Sequence, residues 1–124
     1  MKLNHINLCT SNVLALSSLL EKHFGFVLEE TRGQHAFAQL TGMDGMTLIL
    51  MDMSKTSQTY PRNFHIGFIL DDPQEVRARH ASLCADGYLP GPVEVMTRGR
   101  DRWTLFYHPA GDDLLIEVSA QERV

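Results

Sequence analysis

Apolar and polar positions alternate along LNHINL (residues 3–8), and they do so again along NFHIGF (residues 63–68). Each run has the period of two that predicts a half-buried strand, and each carries a histidine at the same place. After the first run the period changes to three and four, with Val13, Leu16, Leu20 and Phe24 on one predicted helical face. Ser11 or Asn12 can cap that helix, and Gly25 follows as a left-handed terminator. The same order returns after the second run. Asp72 is a good N-cap, Pro73 suits the first helical position, and Glu75 completes a capping box. Val76, His80, Leu83 and Cys84 form the inner stripe, and Gly87 stops the helix.

Each half continues with a strand candidate and a hairpin. The first hairpin is HAFAQLT, GMDG, MTLILMDM; the second is RWTLFYH, PAGDD, LLIEVSA. The chain therefore reads as two tandem βαβββ modules in a single α+β domain over residues 1–124. Module 1 covers about residues 1–54, a polar linker about 55–62, and module 2 about 63–120. The expected architecture is a curved open half-barrel, whose open sheet edges predict a homodimer. Aligning TLILM (residues 47–51) with LLIEV (residues 114–118) sets Leu50 opposite Glu117. The second half has extra residues after its helix, assigned here to TRGRDR (residues 97–102).

Composition narrows the partners. A net charge of −4, with both signs interspersed, gives no basic surface for nucleic acid and no reason to expect membrane binding. No apolar run suits a signal peptide or a membrane span, so a cytoplasmic protein is expected. Cys9 and Cys84 lack metal-pair spacing and read as buried, reduced thiols.

Three residues then need a chemical reason. His5 and His65 are equivalent in the repeat, and Glu117 interrupts an apolar strand predicted to lie beside that of His65. A buried glutamate without a partner costs several kcal/mol, and a cation would be such a partner. Any one of the three alone is explained more simply, by a backbone hydrogen bond or by solvent. Together, at matching positions of a repeat, they point to a metal site. Two imidazoles and one carboxylate leave coordination positions open, and the donor set favours divalent Fe, Mn, Ni, Co or Zn.

LNHINL, NFHIGF and FYHPAGDDLLIEV (residues 106–118) together resemble the vicinal oxygen chelate superfamily, across essentially the whole chain. That superfamily includes glyoxalase I, extradiol dioxygenases, fosfomycin-resistance thiol transferases and bleomycin-resistance proteins. The resemblance implies paired βαβββ modules and a divalent metal held by His5, His65 and Glu117. It further implies that the metal chelates vicinal oxygens of a small-molecule substrate and stabilises an oxyanion or enolate as a Lewis acid. A metal-dependent lyase, isomerase, dioxygenase or thiol transferase is the expectation. The alternative is a non-catalytic antibiotic-binding protein of the bleomycin-resistance type.

The chain departs from the family pattern in places. His108 stands where the signature usually has aspartate, and no second carboxylate is found at Leu50 or its neighbours Met51 and Thr47. The second departure counts against glyoxalase-type isomerisation. For substrate binding the candidates are Arg98, Arg100 and Arg102, with Trp103 and Tyr107 alternating on one face with Leu105. The competing expectation for the arginines is local pairing with Asp101 in a solvated turn. Met43, Met46, Met51 and Met53 read as core or pocket packing.

Overall fold

The protein is described from a computed structural model over residues 1–123. Its elements run β1 (His5–Thr10), α1 (Val13–His23), β2 (Val27–Arg32), β3 (Phe37–Thr41) and β4 (Thr47–Asp52). They continue with β5 (His65–Ile69), α2 (Pro73–Ala85), β6 (Glu94–Arg98), β7 (Asp101–Pro109) and β8 (Leu115–Arg123). The chain forms two compact units, Met1–Gln58 and a second from Thr59 onward. Each contains one helix and one four-stranded sheet, ordered β1-β4-β3-β2 and β5-β8-β7-β6. These are the two tandem βαβββ modules of an α+β fold. Among the described residues no helix is long and apolar enough to cross a membrane.

The helix signals act locally as their chemistry requires. Asn12, not Ser11, caps α1 by accepting the Ala15 N–H at 3.0 Å. Asp72 caps α2 by accepting the Glu75 N–H at 3.0 Å, and the Glu75 carboxylate reaches back to the Asp71 N–H. Gly25 and Gly87 follow their helices with φ of 70° and 85°, a conformation without penalty for glycine.

Each helix packs on one face of its own sheet. In the first unit Leu16, Leu19 and Leu20 meet a layer of Leu8, Ala38, Leu40, Leu48 and Leu50, all buried. In the second, α2 lies on β7 and β8, with Val76 and Leu83 buried above Phe106, Ile116 and Val118. The inner stripe of α2 is narrower than expected. His80 is only half-buried and Cys84 is exposed, because the helix touches the sheet through two apolar positions. Cys9 is exposed as well, lying on the face of β1 opposite Leu8, so neither thiol is a core residue. Met43 and Met51 are likewise exposed rather than core.

The register corrects the alignment of the two halves. His5 pairs with Thr47 and Leu8 with Leu50, while His65 pairs with Leu115 and Gly67 with Glu117. Counted from each histidine, the residue equivalent to Glu117 is Ile49, and Leu50 is equivalent to Val118. A slip of one residue exchanges the faces of a strand. Leu50 is fully buried under α1, whereas Ile49 is half-exposed on the face of His5.

The extra residues of the second half also lie elsewhere than expected. β2 begins two residues after Gly25, but β6 begins seven after Gly87, so the five extra residues lie within Tyr88–Val93. The β6–β7 turn around Gly99 is in fact the shorter of the two equivalent turns. Within the insertion, the Gly91 N–H donates to the Tyr107 carbonyl at 2.8 Å, and the Gly91 carbonyl accepts from His80 Nε2 at 2.9 Å. A Cβ at position 91 would stand 3.0 Å from the Tyr107 carbonyl oxygen, so glycine permits this close approach.

Candidate functional site

β5 and β8 run in parallel, which sets the carboxylate-bearing strand beside the histidine-bearing one. β7 pairs antiparallel on the other side of β8, with Tyr107 opposite Glu117 and Leu105 opposite Ser119. Alternation then puts His65, Gly67, Glu117, Tyr107, Leu105 and Trp103 on the sheet face away from α2. His108 falls on the other face. It is buried, with its ring edge-on to Tyr88 at 5.5 Å, so the residue at the signature aspartate position belongs to the core.

Asn63 takes a left-handed φ of 67°, which asparagine tolerates better than most residues, and its carbonyl lies 2.9 Å from His65 Nδ1. A carbonyl can only accept, so Nδ1 carries the proton and Nε2 presents its lone pair. His65 also meets Tyr107 edge-to-face at 5.5 Å. Tyr107 lies between two charges, the Glu117 carboxylate and the Arg98 guanidinium, and both act on its hydroxyl. Burial raises the Tyr107 pKa above the ordinary tyrosine value, the Glu117 carboxylate raises it further, and Arg98 opposes both. Gly67 adds no side chain beside Glu117; a Cβ there would come within 3.4 Å of Oε2.

In the first unit, His5, Asn7 and Cys9 share the exposed face of β1 with Thr47, Ile49 and Met51 of β4. His5 Nδ1 lies 2.7 Å from Asn4 Oδ1, an acceptor, which again puts the proton on Nδ1 and leaves Nε2 with its lone pair. Asn7 donates to Met51 Sδ at 3.0 Å. The first unit thus offers one imidazole, and the second an imidazole and a carboxylate. This donor chemistry suits a divalent ion, since ligating histidines usually donate their other ring N–H to a carbonyl or carboxylate. Among the described residues no three His, Cys, Asp or Glu side chains are gathered into one ligand group.

The three arginines of TRGRDR separate. Arg98 faces the Glu117 side, its guanidinium 5.7 Å from the Trp103 ring centre. Arg102 alternates to the other face and lines a cleft of about 320 Å³ with Arg77, Gln74, Thr104 and Glu122. Arg100 sits exposed in the turn. Asp101 does not pair with the arginines beside it. Its carboxylate bonds Gln121 Nε2 and lies 3.6 Å from Arg123 Nε, both on β8. Sequence reasoning missed the Asn63 carbonyl behind His65, since a backbone acceptor leaves no side-chain signal.

The Glyoxalase/Bleomycin resistance protein/Dioxygenase superfamily profile matches residues 2–113. Among solved structures, a possible glyoxalase from Bacillus cereus is 34% identical, with 95% of this chain and 97% of that one covered and a TM-score of 0.80. Lactoylglutathione lyase from Agrobacterium tumefaciens shares 17% identity over 96% and 92% of the two chains, with a TM-score of 0.70. A genomically encoded fosfomycin resistance protein from Listeria monocytogenes shares 20% over 97% and 93%, with a TM-score of 0.72. No curated protein matches the chain. With two βαβββ modules in place and its profile matched over most of the sequence, the chain belongs to the glyoxalase/bleomycin resistance/dioxygenase, or vicinal oxygen chelate, superfamily.

Proposed function

We propose that the protein is a metal-dependent enzyme acting on a small molecule, with His5, His65 and Glu117 as the ligands of one divalent ion. The observation that carries this is the pairing on the second sheet: a histidine whose Nε2 lone pair is fixed by the Asn63 carbonyl, on the same face as Glu117. When bound, a divalent Fe, Mn, Ni, Co or Zn ion would act as a Lewis acid toward vicinal oxygens of the substrate, stabilising an oxyanion or enolate. The chain's own residues supply the rest. Asn63 holds the His65 ring, and Tyr107 stands opposite Glu117 on the neighbouring strand. Gly67 keeps the space beside the carboxylate open.

A homodimer fits this proposal. Strands β1, β2, β5 and β6 are the sheet edges, and Val27, Ile69 and Val95 on them are exposed apolar residues. Cys9 and Cys84, exposed and in no disulfide, suit the reducing cytoplasm.

Calorimetric titration with Mn²⁺ or Zn²⁺ tests the assignment. The parent should bind one ion, Glu117→Gln should bind about tenfold or more weakly, and Asp52→Asn should match the parent. Asp52 serves as the control because its carboxylate is engaged by Ser54. Equal affinities for the parent and Glu117→Gln would sink the metal assignment. Ligand binding without any metal would then put the protein with the sequestering members of the family.

A further inference from the structure

Arg98 is an exposed cation on the sheet face of Glu117. Its guanidinium lies 5.7 Å from the Trp103 ring centre, and among the described residues no carboxylate forms an ion pair with it. A guanidinium has five donors in a planar fork. The stacking on Trp103 does not use that fork as a carboxylate or phosphonate would. Asp101, its cross-strand neighbour, is taken up by Gln121 and Arg123. The Asp101 carboxylate is directed to β8, with Oδ2 on Gln121 and Oδ1 3.6 Å from Arg123 without a hydrogen bond, and it makes no ion pair with Arg98.

We propose that Arg98 is the specificity residue for substrate charge, binding the oxyanion of a small organic acid whose apolar body rests on the Trp103 side of the sheet. This rests on placing the ligand site at Glu117, which shares its sheet face with Arg98, Trp103 and Tyr107. A carboxylate and a phosphonate share the required chemistry, each accepting two parallel N–H bonds from one guanidinium. Arg100 and Arg102 have no part in it, since one is in the turn and the other opens on the opposite face. The body of the substrate is apolar because Trp103 and Met96, paired across β6 and β7, are its half-buried neighbours.

Trp103 is the protein's single tryptophan and sits beneath the guanidinium, so its emission reports occupation of Arg98 directly. Benzoate and phenylphosphonate are titrated by Trp103 fluorescence, with benzyl alcohol as the uncharged control, each with EDTA and with Zn²⁺. Both anions should give saturable changes, and the tighter one identifies the headgroup. Arg98→Gln should weaken binding about tenfold or more, and Arg98→Lys by less, since it keeps the charge and loses the fork. Arg100→Gln and Arg102→Gln should stay within about twofold, as exposed charges do.

Benzyl alcohol binding as tightly as the anions would overturn the proposal. So would equal losses in all three arginine variants, or no loss in Arg98→Gln. The two proposals fail separately. Arg98 dependence with no effect of Zn²⁺ counts against the metal alone, whereas a Zn²⁺ effect with no Arg98 dependence counts against Arg98 alone.

Discussion

The two units share strand order, pairing directions and helix placement, yet they carry different chemistry at equivalent positions. Two residues past each histidine, the first unit has Asn7 beside Ile49, and the second has Gly67 beside Glu117. One pair fills the surface with a side-chain amide and an apolar group; the other opens a space next to a carboxylate. The histidines are also held differently, His5 by its neighbour's side chain and His65 by a backbone carbonyl at a left-handed residue. A duplicated fold conserves its core layers because both must bury a helix. The outward faces are released from that demand and can diverge.

The largest expected effect tests the register behind this comparison. Leu50→Glu should place a carboxylate in a fully buried position under α1, at a cost of several kcal/mol, a large part of a typical domain's stability. Ile49→Glu, one residue away, points to the His5 face and should cost no more than about 1–2 kcal/mol. It would also give the first unit the second unit's carboxylate. Urea unfolding of both variants decides the matter, and similar losses would mean that Ile49 and Leu50 do not face opposite ways.

A smaller effect is expected at the insertion that only the second unit has. Gly91→Ala brings a methyl against the Tyr107 carbonyl, which belongs to a paired strand and cannot easily yield. A loss of about 1–3 kcal/mol is expected, typical of overpacking, with weaker hydrogen-exchange protection at Gly91 and along β7. Unchanged protection there would show that the insertion does not brace the strand.

The smallest effects separate the units by pH. In the first, Arg32 holds Glu30 below the usual glutamate range, and the Ser54 N–H and hydroxyl hold Asp52 below the usual aspartate range. Their contribution is present above the ordinary carboxylate pKa values and is lost as pH falls through the lower folded-state values, below about pH 4. Tyr107 in the second unit is raised, so its contribution is present below about pH 10 and is lost as pH rises through its folded-state value. The carboxylates are exposed, so the acid effect should be slight. Amide exchange should show acid loosening the first unit first and alkali the second. The reverse order would contradict these assignments.

Much of this was legible in the residues themselves. Asp72, Pro73 and Glu75 announce the start of α2 because capping is settled by atoms within one turn. The repeat of LNHINL and NFHIGF likewise places both histidines on equivalent strands. In LLIEV a single glutamate among apolar residues marks one face, so Glu117 could be singled out. TLILM has no such break: Leu48, Ile49 and Leu50 are all apolar, alternation gives no parity, and the alignment slipped by one. Only the ladder from β1 to β4 decided which of them lies under the helix. The exposure of Cys9 and Cys84, the site of the insertion, and the separation of Arg98 from Arg102 were tertiary outcomes too. In each case the deciding contact comes from a residue distant in sequence: a helix that covers one face, a glycine that meets a strand, or an aspartate taken up by β8.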